Sequence, residues 1–415
     1  CSMKNTFLSE MRSRGYLNQC TDLGKLTDIF NNQAVTAYIG FDCTASSLHV
    51  GSLLQIMVLK LMQKYGHRPI VLLGGGTTLI GDPSGKNSTR KILEKKEIKK
   101  NIENIKKVFI QILDTSNKKT KPIFVNNYDW LAKLNYIDFL RDIGTHFTIN
   151  KMLSFDSVKI RLDREQSLSY MEFNYMILQA YDFYQLFKKN KCILQIGGSD
   201  QWGNIVNGVE LIRRMLKKDS FGLTTPLITL ASGAKMGKTE EGAVWLNEEL
   251  FSSYNYWQFW RNTDDRDVKR FLNFFTEIKI DKIKELVKNE KNINKLKILL
   301  ANEATKLLHG ELASKKAEKT AEETFQSGGF SKNLPEIKIN KNNLKLGIKI
   351  LDLLSSNKIM SSKSEVRRAI KSNALKLNNE IITDENKTIK LLDFENSKIM
   401  KISYGKKKHY LIKII

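Results

Sequence analysis

No stretch of this 415-residue chain reaches the ~18 consecutive apolar residues needed to cross a bilayer as a helix. The N-terminus has no signal-peptide core. Cys1-Ser2 ahead of Met3 read as a cloning remnant and are set aside. Of the four cysteines, Cys1, Cys20, Cys43 and Cys192, no two stand at CxxC spacing. That argues against a zinc ribbon or a disulfide framework and fits a reducing, cytoplasmic setting. No cluster of carboxylates suggests a resident metal cage, no Ser/His/Asp constellation suggests a protein nucleophile, and no internal repeat suggests a solenoid. Acidic residues are also scarce relative to basic ones, at 44 Asp/Glu against 68 Lys/Arg, for a net charge of +24. Such a surplus favours a polyanionic partner, RNA or DNA before a membrane surface. A lysine-rich proteome of AT-rich coding accounts for part of it.

What is present divides along the chain. Residues 34–42 (AVTAYIGFD) predict a strand ending in a turn, 49–66 a helix with Leu53, Leu54, Met57, Leu61 and Met62 near one face and Gly66 as its cap, and 69–73 (PIVLL) a buried parallel strand. Strand, helix, strand at this spacing is a βαβ unit, so the first half is expected to be an α/β fold with a Rossmann-like, doubly wound parallel sheet. Residues 92–120 read as an amphipathic helix plus loop, and 125–129 and 192–196 as further strands. Residues 250–325 carry helical spacing, 326–344 read as a linker rich in Gly, Ser, Pro and Asn, and strands are expected at 399–404 and 410–415. The expected domains are therefore 3–250 (α/β), 251–325 (α-helical), the linker 326–344, and a small α+β unit at 345–415. The basic surplus is concentrated at the end: residues 331–415 hold 19 Lys/Arg against 8 Asp/Glu, nearly half the net charge in about a fifth of the chain. That concentration favours nucleic-acid contact there over a merely solvated face.

Two short motifs suit phosphate chemistry. Gly40-Phe-Asp42-Cys-Thr44-Ala-Ser-Ser-Leu-His49-Val-Gly51-Ser52 lies at the strand-to-helix junction of the βαβ unit. A helix N-terminus there offers N–H groups to an anion, Gly51 permits close approach of a nucleotide, and His49 can donate to a phosphate oxygen as charge builds. Lys235-Met-Gly-Lys238-Thr239, between Gly233 and Gly242, places two lysines three apart in a glycine-flanked loop, which suits a mobile clamp on a polyphosphate. Taken alone, each has a plainer alternative: a structural histidine, an exposed basic loop. A third pattern is Tyr175, Gln179 and Asp182 at i, i+4 and i+7. These fall on one face of an otherwise apolar helix, as either a satisfied core network or a site.

In this order, the HxGx junction and the KMxKT loop resemble the His-Ile-Gly-His and Lys-Met-Ser-Lys-Ser signatures of class I aminoacyl-tRNA synthetases. Tyr38-Ile-Gly-Phe-Asp42, Leu79-Ile-Gly-Asp82-Pro-Ser-Gly-Lys86, Asn126-Asn-Tyr-Asp-Trp130, Tyr175 to Phe183 and Leu194 to Asn204 narrow the resemblance. Together they resemble the bacterial tyrosyl-tRNA synthetase family, collinearly from about residue 5 to the C-terminus. The Gln-Pro-Ser-Gly expected of the tryptophanyl relative is missing.

The resemblance implies a tyrosine–tRNA ligase that uses ATP, Mg²⁺ carried with ATP, L-tyrosine and tRNA(Tyr), usually as a homodimer. Asp182 and Tyr38 would bond the substrate phenol. Tyr175, Gln179 and Asp82 would hold its ammonium group, with Gln201 close by. Gly40, Asp42, Gly198 and Asp200 would border the adenylate, and Thr44, His49 and Ser52 would face the ATP phosphates, with Lys235, Lys238 and Thr239 stabilising developing charge. Lys86 and Arg90 either add positive charge near pyrophosphate or are simply solvated. Arg367, Arg368 and Lys371, clustered on an expected helix in a fold shared with ribosomal proteins, would contact RNA. Two departures stand out: Ser52 replaces a second His or Asn, and Cys43 stands where Pro is usual. Competing readings are another class I-like nucleotidyltransferase and a non-catalytic RNA-binding paralogue.

Overall fold

The computed structural model describes residues 6–84, 92–239, 242–327, 334–394 and 399–415. The chain divides into two compact units, Cys1–Thr229 and Leu230–Ile415.

The first unit is built on one sheet of six strands: β1 (Gln19–Cys20), β2 (Thr36–Phe41), β3 (Arg68–Leu73), β4 (Ile123–Asn126), β5 (Leu194–Gly198) and β6 (Phe221–Thr225). They lie in the order β1-β6-β5-β2-β3-β4, with β1 antiparallel to β6 and every other pair parallel. The expected doubly wound α/β fold is therefore present. From β2 the chain moves outward through β3 and β4, then returns to lay β5 and β6 on the other side. The topological switch point falls between β2 and β5, where such sheets bind ligands at the carboxyl ends of their strands.

Local chemistry explains the elements and where they differ from expectation. The helix Leu53–Lys64 follows a 3-10 turn at Val50–Ser52. It buries Ile56, Val58 and Leu59 as well as the expected face, because other helices pack beside it, Phe7–Arg14 and Lys95–Ile112 among them. Strand β4 ends at Asn126, earlier than the expected 125–129 run. The Asn126 side chain accepts the Tyr128 N–H at 3.0 Å and turns the chain into the short helix Tyr128–Leu131. Strand β5 begins at Leu194 because Lys191, in the left-handed region at φ 52°, ends the preceding helix Tyr175–Asn190.

In the second unit, helices at Ser253–Arg261, Val268–Phe275, Ile280–Asn289, Ile293–His309 and Glu311–Ser327 fill the stretch read as helical. Trp260 is fully buried there, its ring 4.8 Å from that of Phe275 and 6.0 Å from that of Phe271. A five-stranded sheet follows, ordered Glu380–Ile381, Leu375–Leu377, Ile399–Tyr404, Lys408–Ile414 and Glu336–Ile339. Glu336–Ile339 lies in the composition-defined linker, yet it pairs in parallel with the last strand and puts Ile339 into the C-terminal core. Alternating isoleucines at 337 and 339 outweigh the Lys/Asn-rich composition around them.

One buried histidine ties the first unit's N-terminal helices to its sheet. The helix Leu53–Lys64 closes in a Schellman turn: Gly66, at φ 81°, donates to Gln63 O at 3.1 Å and His67 N–H donates to Met62 O at 2.9 Å. The His67 ring meets Phe30 edge-on at 4.7 Å and Phe7 at 6.0 Å, and its Nδ1 accepts the Val35 N–H at 3.0 Å. Burial lowers its pKa from 6.5 to about 4. Between these values the unfolded chain binds the proton that the folded chain refuses, so the stability that His67 contributes falls as pH drops from 6.5 towards 4. The difference between variant and wild type isolates that contribution. His67→Gln, which keeps an acceptor and does not titrate, should lose less of its denaturant midpoint than the wild type does over that range.

Candidate active site

Strands β2 and β5 pair only at Ala37 with Leu194 and Tyr38 with Gln195. Beyond those pairs they part, and Gly40 is exposed although its neighbours Ile39 and Phe41 are buried. The gap opens a crevice at the carboxyl ends of the strands. Asp42 follows β2 on one side. Gly198 ends β5 and Asp200 stands in the turn after it on the other. A Cβ on Gly198 would lie 2.8 Å from Asp200 Oδ1, so the backbone there fits only glycine without a shift.

From β2 the chain passes an exposed Thr44 to His49, which caps the turn Val50–Ser52 by accepting the Gly51 N–H on Nδ1 at 2.9 Å. With Nδ1 accepting, the neutral ring carries its proton on Nε2, the nitrogen able to donate to an anion. Ser52 precedes the helix Leu53–Lys64 without making a side-chain cap bond. The positive end of that helix, Gly51 and Ser52 thus meet where phosphate chemistry was expected.

Beneath the crevice lies a polar pocket in apolar walls. Tyr175, Gln179 and Asp182 share one face of the helix Tyr175–Asn190, as their spacing predicts. Asp182 is 2% exposed and accepts from Asn127 Nδ2 at 2.9 Å and from Trp130 Nε1 at 2.8 Å. Burial raises its pKa to about 7, against the pull of those two donors. The Tyr38 hydroxyl is buried without a hydrogen-bond partner, and burial, then the Asp182 charge, holds its pKa well above the usual value. Its ring packs against Phe183 at 5.5 Å. A buried carboxylate and an unpartnered phenol side by side can accept a hydroxyl proton and donate one in return.

The pocket's other end is a connected network. Asp82 accepts from Ser84 N–H at 2.8 Å and from Gln201 Nε2 at 2.9 Å. Asn204 Nδ2 reaches Gln179 Oε1 at 3.1 Å, Ser84 Oγ at 3.2 Å and Gln201 Oε1 at 3.3 Å. Buried Tyr175 hydrogen-bonds Thr77, and burial raises its pKa well above the usual value, with Asp82, Asp42 and Asp182 adding to the rise. Acceptors and a carboxylate gathered in this way suit a cation.

The first unit thus brings together Tyr38, Gly40, Asp42, Thr44, His49, Gly51, Ser52, Asp82, Tyr175, Gln179, Asp182, Gly198, Asp200 and Gln201. Sequence reasoning passed over Asn127, Trp130, Thr77 and Asn204, which hold the pocket's polar groups. The first two sit inside the quoted Asn126–Trp130 run, so a signal existed without a role. Lys86 and Arg90 lie outside the described residues.

Lys235, Lys238 and Thr239 belong to the second unit. Both lysines are exposed, while Met236 is buried as the loop's anchor. Lys238–Thr239 pairs with Gly242–Ala243 in a two-stranded ladder, and Gly237 takes φ 117°, a left-handed value that favours glycine where the related signature carries serine. Arg367, Arg368 and Lys371 are exposed on the helix Lys363–Lys371, which buries Glu365, Val366, Ala369 and Ile370.

Comparison with known proteins agrees with this geometry. Residues 31–326 match the family described as tRNA synthetases class I (W and Y), and residues 326–412 match the tyrosine–tRNA ligase SYY-like C-terminal domain. The chain is 62% identical over 411 residues to a tyrosine–tRNA ligase of Pelagibacter ubique, covering 99% of this chain and 100% of that protein. It is 50% identical over 412 residues to one of Rickettsia prowazekii, with the same coverage of each. A C-terminally truncated mitochondrial tyrosyl-tRNA synthetase of Aspergillus nidulans superposes with a TM-score of 0.71 at 28% identity, over 78% of this chain and 95% of that one. With one family model spanning most of its length and relatives this similar end to end, the chain belongs to the class I tRNA synthetases of the W and Y group.

Proposed function

We infer that the chain is a tyrosine–tRNA ligase, which forms tyrosyl-adenylate from L-tyrosine and ATP and then esterifies tRNA(Tyr). The observation that carries this reading is the pairing of buried Asp182 with the unpartnered Tyr38 hydroxyl at the closed end of the pocket. The substrate phenol donates to Asp182 and accepts from Tyr38. Phenylalanine leaves the Tyr38 hydroxyl without a partner and Asp182 with only its two protein donors, and in tyrosyl-tRNA synthetases as a group the discrimination amounts to ~10⁵-fold, a value carried over from the group. At the other end Asp82, Gln179 and Tyr175, with Gln201, accept the ammonium.

The tyrosine carboxylate then attacks the α-phosphorus of ATP, and the bond to the pyrophosphate oxygen breaks. The tRNA's terminal ribose hydroxyl next attacks the acyl carbon, loses its proton and displaces AMP. Neither step uses a protein nucleophile. Rate comes from positioning and from donors aimed at developing charge: Thr44, Ser52 and His49 Nε2–H, together with Lys235, Lys238 and Thr239. Gly40, Asp42, Gly51, Gly198 and Asp200 line the adenylate. Mg²⁺ would enter with the ATP phosphates.

The same proposal assigns 3–250 to catalysis, 251–325 to the anticodon side and 345–415 to RNA binding. It includes a cytoplasmic homodimer. Exposed Ile137, Leu140, Ile149 and Leu153, on the helices Tyr136–Asp142 and Ile149–Ser154, support a subunit contact. Among the described residues no helix is long and apolar enough to cross a membrane.

Amino-acid-dependent ATP–pyrophosphate exchange, run with each of the twenty amino acids and no tRNA, should proceed with tyrosine alone and disappear in Asp182→Ala. Exchange with another amino acid would move the specificity, and none at all would favour a non-catalytic RNA-binding protein. Replacing Arg367, Arg368 and Lys371 together with Ala should weaken tRNA binding and flatten its salt dependence while leaving exchange intact. Unchanged tRNA affinity would remove those residues from the interface.

A further inference from the structure

The loop between β2 and the turn Val50–Ser52 carries Thr44 and leads to His49, and one of its residues, Cys43, is held at both its backbone N–H and its C=O. Cys43 N–H donates to Thr78 Oγ1 at 3.0 Å, and Cys43 O accepts from Asn101 Nδ2 at 2.8 Å. Ser46 Oγ donates to Asn101 Oδ1 at 3.3 Å, so a single amide holds the loop at two points. Thr78 comes from the helix Gly75–Ile80 and Asn101 from the helix Lys95–Ile112. Both are 4% exposed. Asn101 is the one polar residue among the buried side chains of its helix, whose others are Ile98, Ile105, Val108, Phe109 and Ile112. An apolar side chain would fill that stripe without a polar group to satisfy. The amide's described bonds all go to the loop. Proline at position 43 would fix φ but offer no N–H. Cysteine offers one, and Thr78 takes it.

We propose that Asn101 and Thr78 are positioning residues for the phosphate loop. By clamping the Cys43 backbone at its N–H and C=O they hold the Thr44 hydroxyl, and the chain leading to His49, in the geometry that the triphosphate requires as pyrophosphate leaves. This rests on the ligase reading above. Neither residue is assigned a contact with tyrosine or ATP. Their loss therefore acts on the activation rate and leaves the Tyr38/Asp182 pocket alone, since ångström-scale misplacement of a catalytic group costs up to ~10²-fold in rate.

The test is a set of full-length variants read two ways. In tyrosine-dependent pyrophosphate exchange, Asn101→Ala and the near-isosteric Thr78→Val should lower kcat about 10-fold or more while the KM for tyrosine stays within about twofold. Thr78→Ser, which keeps the hydroxyl, should restore the rate. Cys43→Pro removes the N–H that Thr78 accepts, so adding Thr78→Val to it should cost almost nothing further. In hydrogen exchange, which needs no activity, the loop peptide 42–48 should lose protection in Asn101→Ala and Thr78→Val while the helix Tyr175–Asn190 keeps its own. Unchanged loop protection overturns the clamp whether or not the wild type is active. A parallel loss of tyrosine affinity and rate, or equal damage from Thr78→Val with and without Cys43→Pro, would make these residues merely structural. If the wild type fails to exchange with tyrosine, the ligase reading fails and the phosphate role falls with it, while the hydrogen-exchange result still decides whether the clamp exists.

Discussion

A carboxylate in a place that water scarcely reaches is the constraint around which the site is organised. Asp182 is 2% exposed, and a charge buried that deeply is tolerated only when donors replace its hydration. Asn127 and Trp130 supply two, and the pKa near 7 marks how incompletely they offset the loss of water. Asn127 is itself fixed: its Oδ1 accepts the Gly76 N–H at 2.8 Å and its Nδ2 also donates to Thr77 Oγ1 at 2.9 Å. The strand β4, the glycine-rich turn after β3 and the helix Tyr175–Asn190 are thus locked to one another through a single amide. A site built this way is poised for one further donor, which a phenolic hydroxyl provides and a phenyl ring does not.

The rest of the first unit follows from where β2 and β5 separate. The doubly wound topology makes a crevice there regardless of sequence. The side chains decide its chemistry: acceptors around Asp82 and Gln179 on one side, the exposed backbone of Gly40 in the middle, and a helix N-terminus with His49 and Ser52 on the other. Around Asp82, Gln179, Gln201 and Asn204 the polar groups bond to one another. The loop after β2, with few apolar anchors of its own, is held at the Cys43 backbone by the side chains of Thr78 and Asn101.

Features with a period or a run were legible in the sequence. The apolar strands β2 and β3, the helix between them and the triad at 175, 179 and 182 all follow from local patterns. Asp182's donors were not legible in this way, because Asn127 stands 55 positions away and only folding brings it near. Asn101 looked like one more polar residue in a Lys/Asn-rich helix, and nothing local says that its amide faces inward. Glu336–Ile339 was hidden by composition, since two isoleucines among lysines and asparagines signal a strand only once a partner strand exists. The end of β4 moved because a side chain, Asn126, competed for a backbone N–H.

The most direct measurement is titration calorimetry of tyrosine binding at pH 7 in buffers of different ionisation enthalpy, with Asp182→Asn as the control. Burial raises the Asp182 pKa to about 7, so part of it is protonated in the empty site, and a donating phenol favours its ionised form. Binding should therefore release protons, and affinity should weaken as pH falls below 7. The control should release none. Binding without proton release, or the same release from Asp182→Asn, would contradict the claim that a buried Asp182 with a raised pKa reads the substrate hydroxyl.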